Sequence, residues 1–483
     1  MSAPRQQRVA IIGAGITGLA VARQLSRQAP QTQVILLDSD TRLGGKISTI
    51  RQDGFVIEGG PDSFLSYKPR GLGLCRELGL ESRLHGTSGK VRRTYVMRNR
   101  RLYQLPEGLT GLIPSRFGPM LETPLISPLG KLRMGLDYFI PPRRDQRDES
   151  LAGFVSRRLG REVYERMIEP LMSGIYAGDG NQLSLDATFP NLRKAEIEHG
   201  NLIKSMLAAK AEAKHSTPAA GASRWPAFLT LQGGLAEIVE AAAQQLGGTD
   251  IRLNTRVTRI AGGMPDGGYR LDIDRQPSLY ADAVIVTAPA FAAADLLDDL
   301  DAEAAAALRG IPYVSTATVS VAYPLEQVPA ALDAHGYIVP RSEGRPVLAC
   351  TWTSTKFPHR APQGQALIRA FIGRAGEEDV LAMSDSELVG LVRDELRMVL
   401  RITAAPTLQF VFRWPQSMPQ YTIGHLERVR TLERRFAAHP GLFLAGAAYR
   451  GIGIPDCIAS GETAAANAIA HLHHYPAAEE IAV

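Results

Sequence analysis

Cysteine, aromatic residues and uninterrupted apolar segments are all scarce in this chain of 483 residues. The three cysteines, Cys75, Cys350 and Cys457, lie far apart, which excludes a disulfide framework and a cysteine-based metal site and favours a reduced, cytoplasmic compartment. No segment has about 18 consecutive apolar residues, so no transmembrane helix is predicted. The apolar stretch near the N-terminus is interrupted by glycines and lacks the pattern of a secretory signal.

Charge of one sign is not concentrated anywhere either. The 54 Lys and Arg residues against 49 Asp and Glu residues leave a formal charge of +5. Because no basic run is interleaved with aromatic residues, a nucleic acid is not predicted as a partner. The small positive excess favours anionic small molecules or a weak attraction to a membrane surface.

The first motif follows a short apolar run at residues 9–12. It reads Gly13-x-Gly15-x-x-Gly18, opens a helical pattern, and precedes Asp38 by twenty positions. This context predicts a β-α-β unit that binds a dinucleotide. Gly13 permits the tight turn, Gly15 lets the backbone approach a pyrophosphate, and Asp38 would accept hydrogen bonds from ribose hydroxyls.

Strand patterns recur along the rest of the chain. They lie at residues 251–260, 283–287, 314–323, 348–352, 366–372 and 442–446. Residues 92–213 carry apolar side chains at helical spacing, and a final helix is predicted over residues 458–471. The pattern therefore predicts an α/β fold, α+β overall, in which a long helical insertion interrupts the nucleotide-binding part.

A second glycine-rich segment follows Asp38 closely and contains Arg42, Gly44, Gly45 and Lys46. This segment resembles that of the amine oxidase-like flavoproteins, in which it continues along the cofactor towards the flavin. The resemblance implies FAD and makes Arg42 a contact of the pyrophosphate, the alternative being a solvated surface residue. We see no second nucleotide fold for NADPH, which favours an oxidase over a pyridine-nucleotide-dependent monooxygenase.

Six further segments resemble the flavin-dependent protoporphyrinogen and coproporphyrinogen oxidases of haem synthesis. They are residues 60–64, 169–179, 231–235, 349–353, 418–421 and 451–458. The sequence is most similar to the soluble coproporphyrinogen III oxidases of Gram-positive-type bacteria. The resemblance implies a six-electron oxidation of a porphyrinogen to a porphyrin, with O2 as the final acceptor and H2O2 as the by-product.

The resemblance also implies which residues hold a non-covalent FAD. They are Gly13, Ala14, Gly15, Ile16, Thr17, Gly18, Asp38, Arg42, Gly45, Lys46, Gly60, Pro61, Asp62, Ser63, Val257, Trp414, Gly446, Gly453, Ile454 and Pro455. The last helix is expected to begin just after Pro455, with its N-terminal dipole favouring negative charge at the reduced flavin. No catalytic side chain and no metal are predicted, because flavin N5 would carry the chemistry.

For the substrate, the resemblance implies that Lys68 and Arg92 bind propionates and that Ile175 and Tyr176 line an apolar pocket. The alternatives are exposed surface cations and core packing. Coproporphyrinogen III, with four propionates, fits several basic groups better than protoporphyrinogen IX, which has two and stays open as the alternative. An amine oxidase, a carotenoid desaturase, and a non-enzymatic flavin-bearing partner of a haem-synthesis complex are further alternatives.

Three domains follow from the resemblance. A discontinuous Rossmann-like FAD-binding domain would comprise residues 1–72, 222–302 and 430–475. A mixed-sheet substrate domain would comprise residues 73–91, 205–221 and 303–429, and a helical, membrane-binding-like domain residues 92–204. In the helical domain, Arg143, Arg144 and Arg147 are interleaved with acidic residues, and we interpret them as a solvated face. Contact with anionic lipid or with a ferrochelatase is the alternative, so a cytoplasmic protein with peripheral membrane association stays open.

Overall fold

Two large sheets organise the fold, which a computed structural model describes for residues 5–91, 93–106, 109–110, 113–114, 117–145, 147–215, 225–262 and 268–474. The strands are β1 (Arg8–Ile12), β2 (Gln33–Leu37), β3 (Thr49–Gln52), β4 (Phe55–Glu58), β5 (Phe64–Leu65), β6 (Leu84–Gly86), β7 (Tyr95–Arg98), β8 (Arg101–Gln104), β9 (Leu109–Thr110), β10 (Ile113–Pro114), β11 (Phe228–Leu231), β12 (Thr249–Arg252), β13 (Val257–Ala261), β14 (Tyr269–Ile273), β15 (Gln276–Ala281), β16 (Ala283–Val286), β17 (Tyr313–Pro324), β18 (Gly336–Ile338), β19 (Val347–Trp352), β20 (Gln365–Ile372), β21 (Leu408–Pro419) and β22 (Leu442–Leu444). The helices are α1 (Ile16–Gln28), α2 (Pro69–Glu77), α3 (Phe117–Glu122), α4 (Pro128–Gly135), α5 (Leu151–Leu159), α6 (Arg161–Val163), α7 (Glu169–Tyr176), α8 (Leu185–Thr188), α9 (Pro190–His199), α10 (Leu202–His215), α11 (Ala236–Gln244), α12 (Ala290–Leu297), α13 (Ala302–Arg309), α14 (Thr353–Lys356), α15 (Asp385–Leu400), α16 (His425–Ala437) and α17 (Ile454–His474). The predicted mixed α/β class is confirmed.

The strands β12, β2, β1, β16 and β22 form, in that order, a parallel sheet. Alternate residues of β1 pack into two different cores, one shared with α1 and α17 and the other with α12 and α13. Because both faces of this sheet are covered, β1, β2, β16 and β22 are apolar except for the first residues of β1 and β2, whereas the edge strand β12 is mostly polar. The strands predicted at residues 9–12, 283–287 and 442–446 are confirmed.

The prediction of a single strand over residues 251–260 is wrong. β12 ends at Arg252 inside the parallel sheet, whereas β13 begins at Val257 and pairs antiparallel with β14 in a separate sheet. Between them Asn254 adopts a φ of +51°, a left-handed conformation that asparagine tolerates. The alternation of apolar and polar residues runs through both strands. It indicates extended structure, but it does not indicate which strand is the pairing partner, so the sequence pattern did not reveal the break.

A mixed sheet of seven strands, in the order β21-β17-β20-β19-β18-β7-β8, forms the second large layer. α15 packs on one face, and the helices of the insertion, including α5 and α7, pack on the other. The strands predicted at residues 314–323, 348–352 and 366–372 are confirmed. The first part of the expected helical insertion differs, since β7 and β8 are strands of this sheet and β7 pairs with the distant β18.

The helices α3 to α10 form the greater part of the insertion, which contains a buried ion pair. Arg158 Nε lies 2.9 Å from Asp137 Oδ1, and both side chains are fully buried. Within the described ranges, no helix combines the length and the apolar character that crossing a membrane requires. The domain boundaries given above stay a prediction.

Candidate active site

The first glycine loop, residues 13–18, is held by its own β-α-β unit. Gly13 N donates to Leu37 O at 2.7 Å, and Gly13 adopts a φ of +110°, which L side chains rarely adopt. A Cβ on Gly18 would overlap the carbonyl oxygen of Gly13. These two glycines are therefore required by the packing of the chain itself.

Gly15 differs, because the protein alone gives no reason for a glycine there. Its backbone is extended, with φ −68° and ψ −179°, and an added Cβ would meet no described atom within 4 Å. Gly15 is the N-cap of α1, where unpaired N–H groups and the helix dipole favour an anion. The open space at this helix end fits the pyrophosphate of a dinucleotide.

Asp38 lies at the end of β2, next to this loop. Its carboxylate accepts hydrogen bonds from Ala14 N at 2.5 Å and from Asp40 N at 2.8 Å. Thr255 N donates to Asp38 O at 2.7 Å, and this contact brings the start of β13, with the buried Val257, to the same edge of the sheet. Binding of ribose by Asp38 and of adenine near Val257 stays a prediction.

The second glycine segment, residues 42–46, lies against the first loop. Gly44 N donates to Ala14 O at 2.8 Å, so the two loops are in direct contact. The guanidinium of Arg42 donates to Ile47 O at 2.9 Å and to Gly45 O, and thus braces this segment from within. Lys46 Nζ donates to Ser417 O, and burial lowers the pKa of its ammonium to about 8.

A third loop, residues 59–63, is held by hydrogen bonds from side chains of the seven-stranded sheet. Arg369 Nη2 donates to Gly59 O at 2.9 Å and also to Gly60 O. Trp414 Nε1 donates to the same oxygen of Gly59 at 2.9 Å. We call residues 59–63 the sheet-supported loop.

Asp62, in the sheet-supported loop, has its carboxylate engaged by the protein. Ser63 Oγ donates to it at 2.6 Å and Lys356 Nζ at 2.9 Å. Burial alone would raise the pKa of this carboxyl, but the cations of Lys356 and Arg369 outweigh burial and hold the pKa well below its usual range. Sequence reasoning missed Arg369 and Lys356, although an arginine inside the apolar strand β20 was a visible signal.

The loop that leads into α17, residues 446–453, is pinned by Tyr421. The Tyr421 hydroxyl donates to Ala447 O at 2.7 Å and accepts from Gly451 N at 2.8 Å, so this side chain supports the loop. α17 begins at Ile454, so the expectation that the helix starts after Pro455 is wrong. Proline is tolerated in a first turn because its missing N–H has no partner to lose there.

On the side where the sequence predicts the substrate, the structure brings Lys68 and Tyr176 to the first turn of α17 and the loop before it. Lys68 Nζ forms an ion pair with Asp456 at 2.6 Å. Tyr176 is buried, with its ring centroid 6.1 Å from that of Tyr421, whereas Ile175 is 44% exposed. Arg92, the other predicted propionate ligand, lies outside the described residues.

The three cysteines are free thiols and buried. Cys457 lies in the first turn of α17, next to the loop of residues 446–453. Its Sγ donates a weak hydrogen bond to Ile452 O at 4.0 Å. Burial raises the pKa of this thiol to about 11. It is therefore protonated and poorly reactive at neutral pH.

Comparisons with known proteins agree with this geometry. The family of flavin-containing amine oxidoreductases matches residues 16–469. The chain is 38% identical to coproporphyrinogen III oxidase of Bacillus subtilis (strain 168), over 97% of this chain and 99% of that protein. It is 33% identical to the chloroplastic protoporphyrinogen oxidase 1 of Arabidopsis thaliana, over 93% of this chain and 85% of that protein. A crystal structure from Exiguobacterium sp. 255-15, of a protein assigned as a protoporphyrinogen oxidase, superimposes with a TM-score of 0.85 at 32% identity, covering 98% of this chain and 100% of that one.

The parallel sheet, its glycine loops and the family match define the class: the chain belongs to the flavin-containing amine oxidoreductases, and its cofactor is a flavin. Within that family it belongs to the coproporphyrinogen III and protoporphyrinogen oxidases. The resemblance drawn from six short segments is thereby confirmed.

Proposed function

We propose that this protein uses non-covalent FAD to oxidise coproporphyrinogen III to coproporphyrin III, with O2 as the acceptor and H2O2 as the by-product. The observation that carries the proposal is the convergence of the three glycine segments and the N-terminus of α17 beside the partly exposed ammonium of Lys68. A bound FAD would supply the redox chemistry, by accepting electrons from the substrate and passing them to O2.

The residues of the chain would bind and orient both molecules. The space at Gly15 would take the pyrophosphate and Asp38 a ribose hydroxyl. The N-terminus of α17, where the helix dipole is positive, would face the flavin and favour negative charge on its reduced form. Tyr176 and Ile175 would form an apolar wall, and Lys68 would bind a propionate.

Non-covalent attachment is supported by Cys457. This thiol is buried, and its pKa of about 11 disfavours the thiolate that a covalent link to the flavin would need. Acid precipitation tests the point, because a non-covalent flavin leaves the yellow colour in the supernatant. Colour retained in the pellet would contradict this part of the proposal.

Protoporphyrinogen IX is the alternative substrate, since relatives with both names are similar to this chain. The test is aerobic turnover of the purified yellow protein with the two porphyrinogens in parallel, monitored by porphyrin fluorescence and peroxide. We expect faster formation of coproporphyrin III, with about three peroxides per porphyrin because each two-electron oxidation reduces one O2. Preference for protoporphyrinogen IX would assign the enzyme to that substrate, and porphyrin from neither would refute the proposal.

A weak contact with a membrane surface is also part of the proposal. The apolar side chains that would make this contact are exposed on and beside α4. They are Leu129, Leu132 and Phe139, and Lys131 lies between the two leucines in the sequence. The arginines that follow do not add to this surface, because Arg143 and Arg147 pair with Asp145, as expected of a solvated face. Co-sedimentation with vesicles rich in anionic lipid should fall for Phe139→Ser if this face makes the contact, and unchanged binding would contradict it. Transient contact with a ferrochelatase, which the sequence analysis gave as an alternative, is also proposed. A pull-down with a ferrochelatase would test it.

A further inference from the structure

Asp456 occupies the rim of the site, directly after Pro455 in the first turn of α17. Both oxygens of its carboxylate accept hydrogen bonds from Lys68 Nζ, at 2.8 and 2.6 Å. One of them also accepts from Gly453 N at 3.3 Å. The ion pair therefore joins the start of α2 to the first turn of α17.

Lys68 carries one positive charge, and two of its three N–H donors are used by Asp456. The charge of its ammonium is balanced by the carboxylate of Asp456. The Lys68 side chain is nevertheless 36% exposed and that of Asp456 23% exposed, so an incoming ligand can reach the pair. A lysine ammonium is a compact charge on a flexible stem, which can turn from one carboxylate to another. A ligand propionate would compete with Asp456 for this single cation.

The carboxylate of Asp456 has favourable interactions besides the one with Lys68. The helix dipole at the start of α17 and the Gly453 N–H both stabilise its carboxylate without help from Lys68. Asp456 also acts electrostatically on Tyr176, whose pKa is raised first by burial and next by this carboxylate. The pair thus borders the wall predicted to hold the tetrapyrrole.

We propose that Asp456 is an internal competitor of the substrate: it occupies Lys68 in the free enzyme and yields it to a propionate, and so sets the affinity for carboxylate-rich tetrapyrroles. The inference rests on the proposed function. Asp456 is a specificity-determining residue that acts through Lys68 and takes no part in electron transfer.

The test is binding of coproporphyrin III, which is stable in air, to the flavin-loaded protein and its variants. Asp456→Asn keeps an acceptor for Gly453 N–H but removes the charge that holds Lys68. We expect about threefold to fivefold tighter binding, the range of a half-exposed ion pair, and a lower KM for coproporphyrinogen III with kcat unchanged. Asp394→Asn, which breaks the exposed pair with Arg397 on α15, is the control for net charge and should bind like the unmodified protein.

A double variant separates competition from other effects. Lys68→Met should weaken binding, and Asp456→Asn added to it should change nothing further, because the competed cation is gone. An Asp456→Asn protein that binds coproporphyrin III no more tightly, that loses flavin, or that still binds more tightly without Lys68 would overturn the inference. The proposed function fails separately, when the unmodified flavin-loaded protein neither binds coproporphyrin III nor oxidises coproporphyrinogen III.

Discussion

The first glycine loop and the sheet-supported loop both serve the cofactor side, but they are held in opposite ways. The first is supported by its own β-α-β unit, through Gly13 N to Leu37 O and Ala14 N to Asp38. The sheet-supported loop depends on Arg369 and Trp414, which lie in strands of another layer, 310 and 355 residues after Gly59 in the chain. One half of the site can therefore form with the N-terminal unit, whereas the other requires the seven-stranded sheet.

The glycines of these two loops have two different roles. Gly18 and Gly60 are needed because a Cβ would overlap a carbonyl oxygen of the chain itself, of Gly13 and of Lys46 respectively. Gly15 faces open space, so its glycine is explained by a ligand. Substitutions can therefore separate residues that support the loops from residues that leave room for the cofactor.

Gly15→Val should have the largest effect on the cofactor. The added side chain would fill the space predicted for the pyrophosphate, so we expect purified protein without yellow colour but with near-normal thermal stability of the flavin-free form. Gly390→Val is the matched control, because a Cβ there also meets no described atom within 4 Å and the position lies in α15, away from the loops. Full flavin occupancy in Gly15→Val would refute the assignment of this loop.

Arg369→Met should have the largest effect on stability. It removes one of the two cations that act on the buried Asp62, the other being Lys356. It also removes the arginine donor from Gly60 O and from Gly59 O, although Trp414 still donates to Gly59 O. Removing one member of a buried charge cluster costs up to about 3–5 kcal/mol. The free energy of unfolding in urea measures this loss. Arg369→Lys keeps the charge and should lose less, and equal losses for the two variants would show that the charge is unimportant.

Gly18→Ala should destabilise the protein by about 1–3 kcal/mol, the range for forcing extra volume into a packed site. The loss should be the same with and without bound flavin, because the overlap is with Gly13 O and not with a ligand. Thermal unfolding of the flavin-free and flavin-loaded forms checks this. A loss confined to the loaded form would place the ligand against Gly18.

Trp414→Phe should have the smallest effect. It keeps the ring but removes the donor to Gly59 O, a neutral hydrogen bond worth about 1 kcal/mol. Arg369 still donates to the same oxygen, so the loop should stay in place with flavin bound. Loss of flavin from this variant would show that Trp414 contacts the cofactor directly.

The sequence predicted the parts of the site whose physics is local. Gly13, Gly18 and Asp38 belong to one β-α-β unit, and their spacing alone describes a loop between a strand and a helix. The buried strands were equally visible, because strands covered on both faces are apolar throughout. The substrate side was inferred through the resemblance, and its assignments to Lys68, Ile175 and Tyr176 stay predictions.

What could not be predicted depends on partners distant in the chain. The break between β12 and β13 and the strands β7 and β8 follow from pairing, which spacing does not report. The supports of the sheet-supported loop and the pairing of Lys68 with Asp456 were hidden for the same reason. A buried charge is strongly destabilising unless an opposite charge lies near it, and the fold can bring that charge from any part of the chain. Local spacing thus determined the nucleotide loop and the core strands, while folding selected the partners of the buried and rim charges, because electrostatic contacts depend on distance in space rather than along the chain.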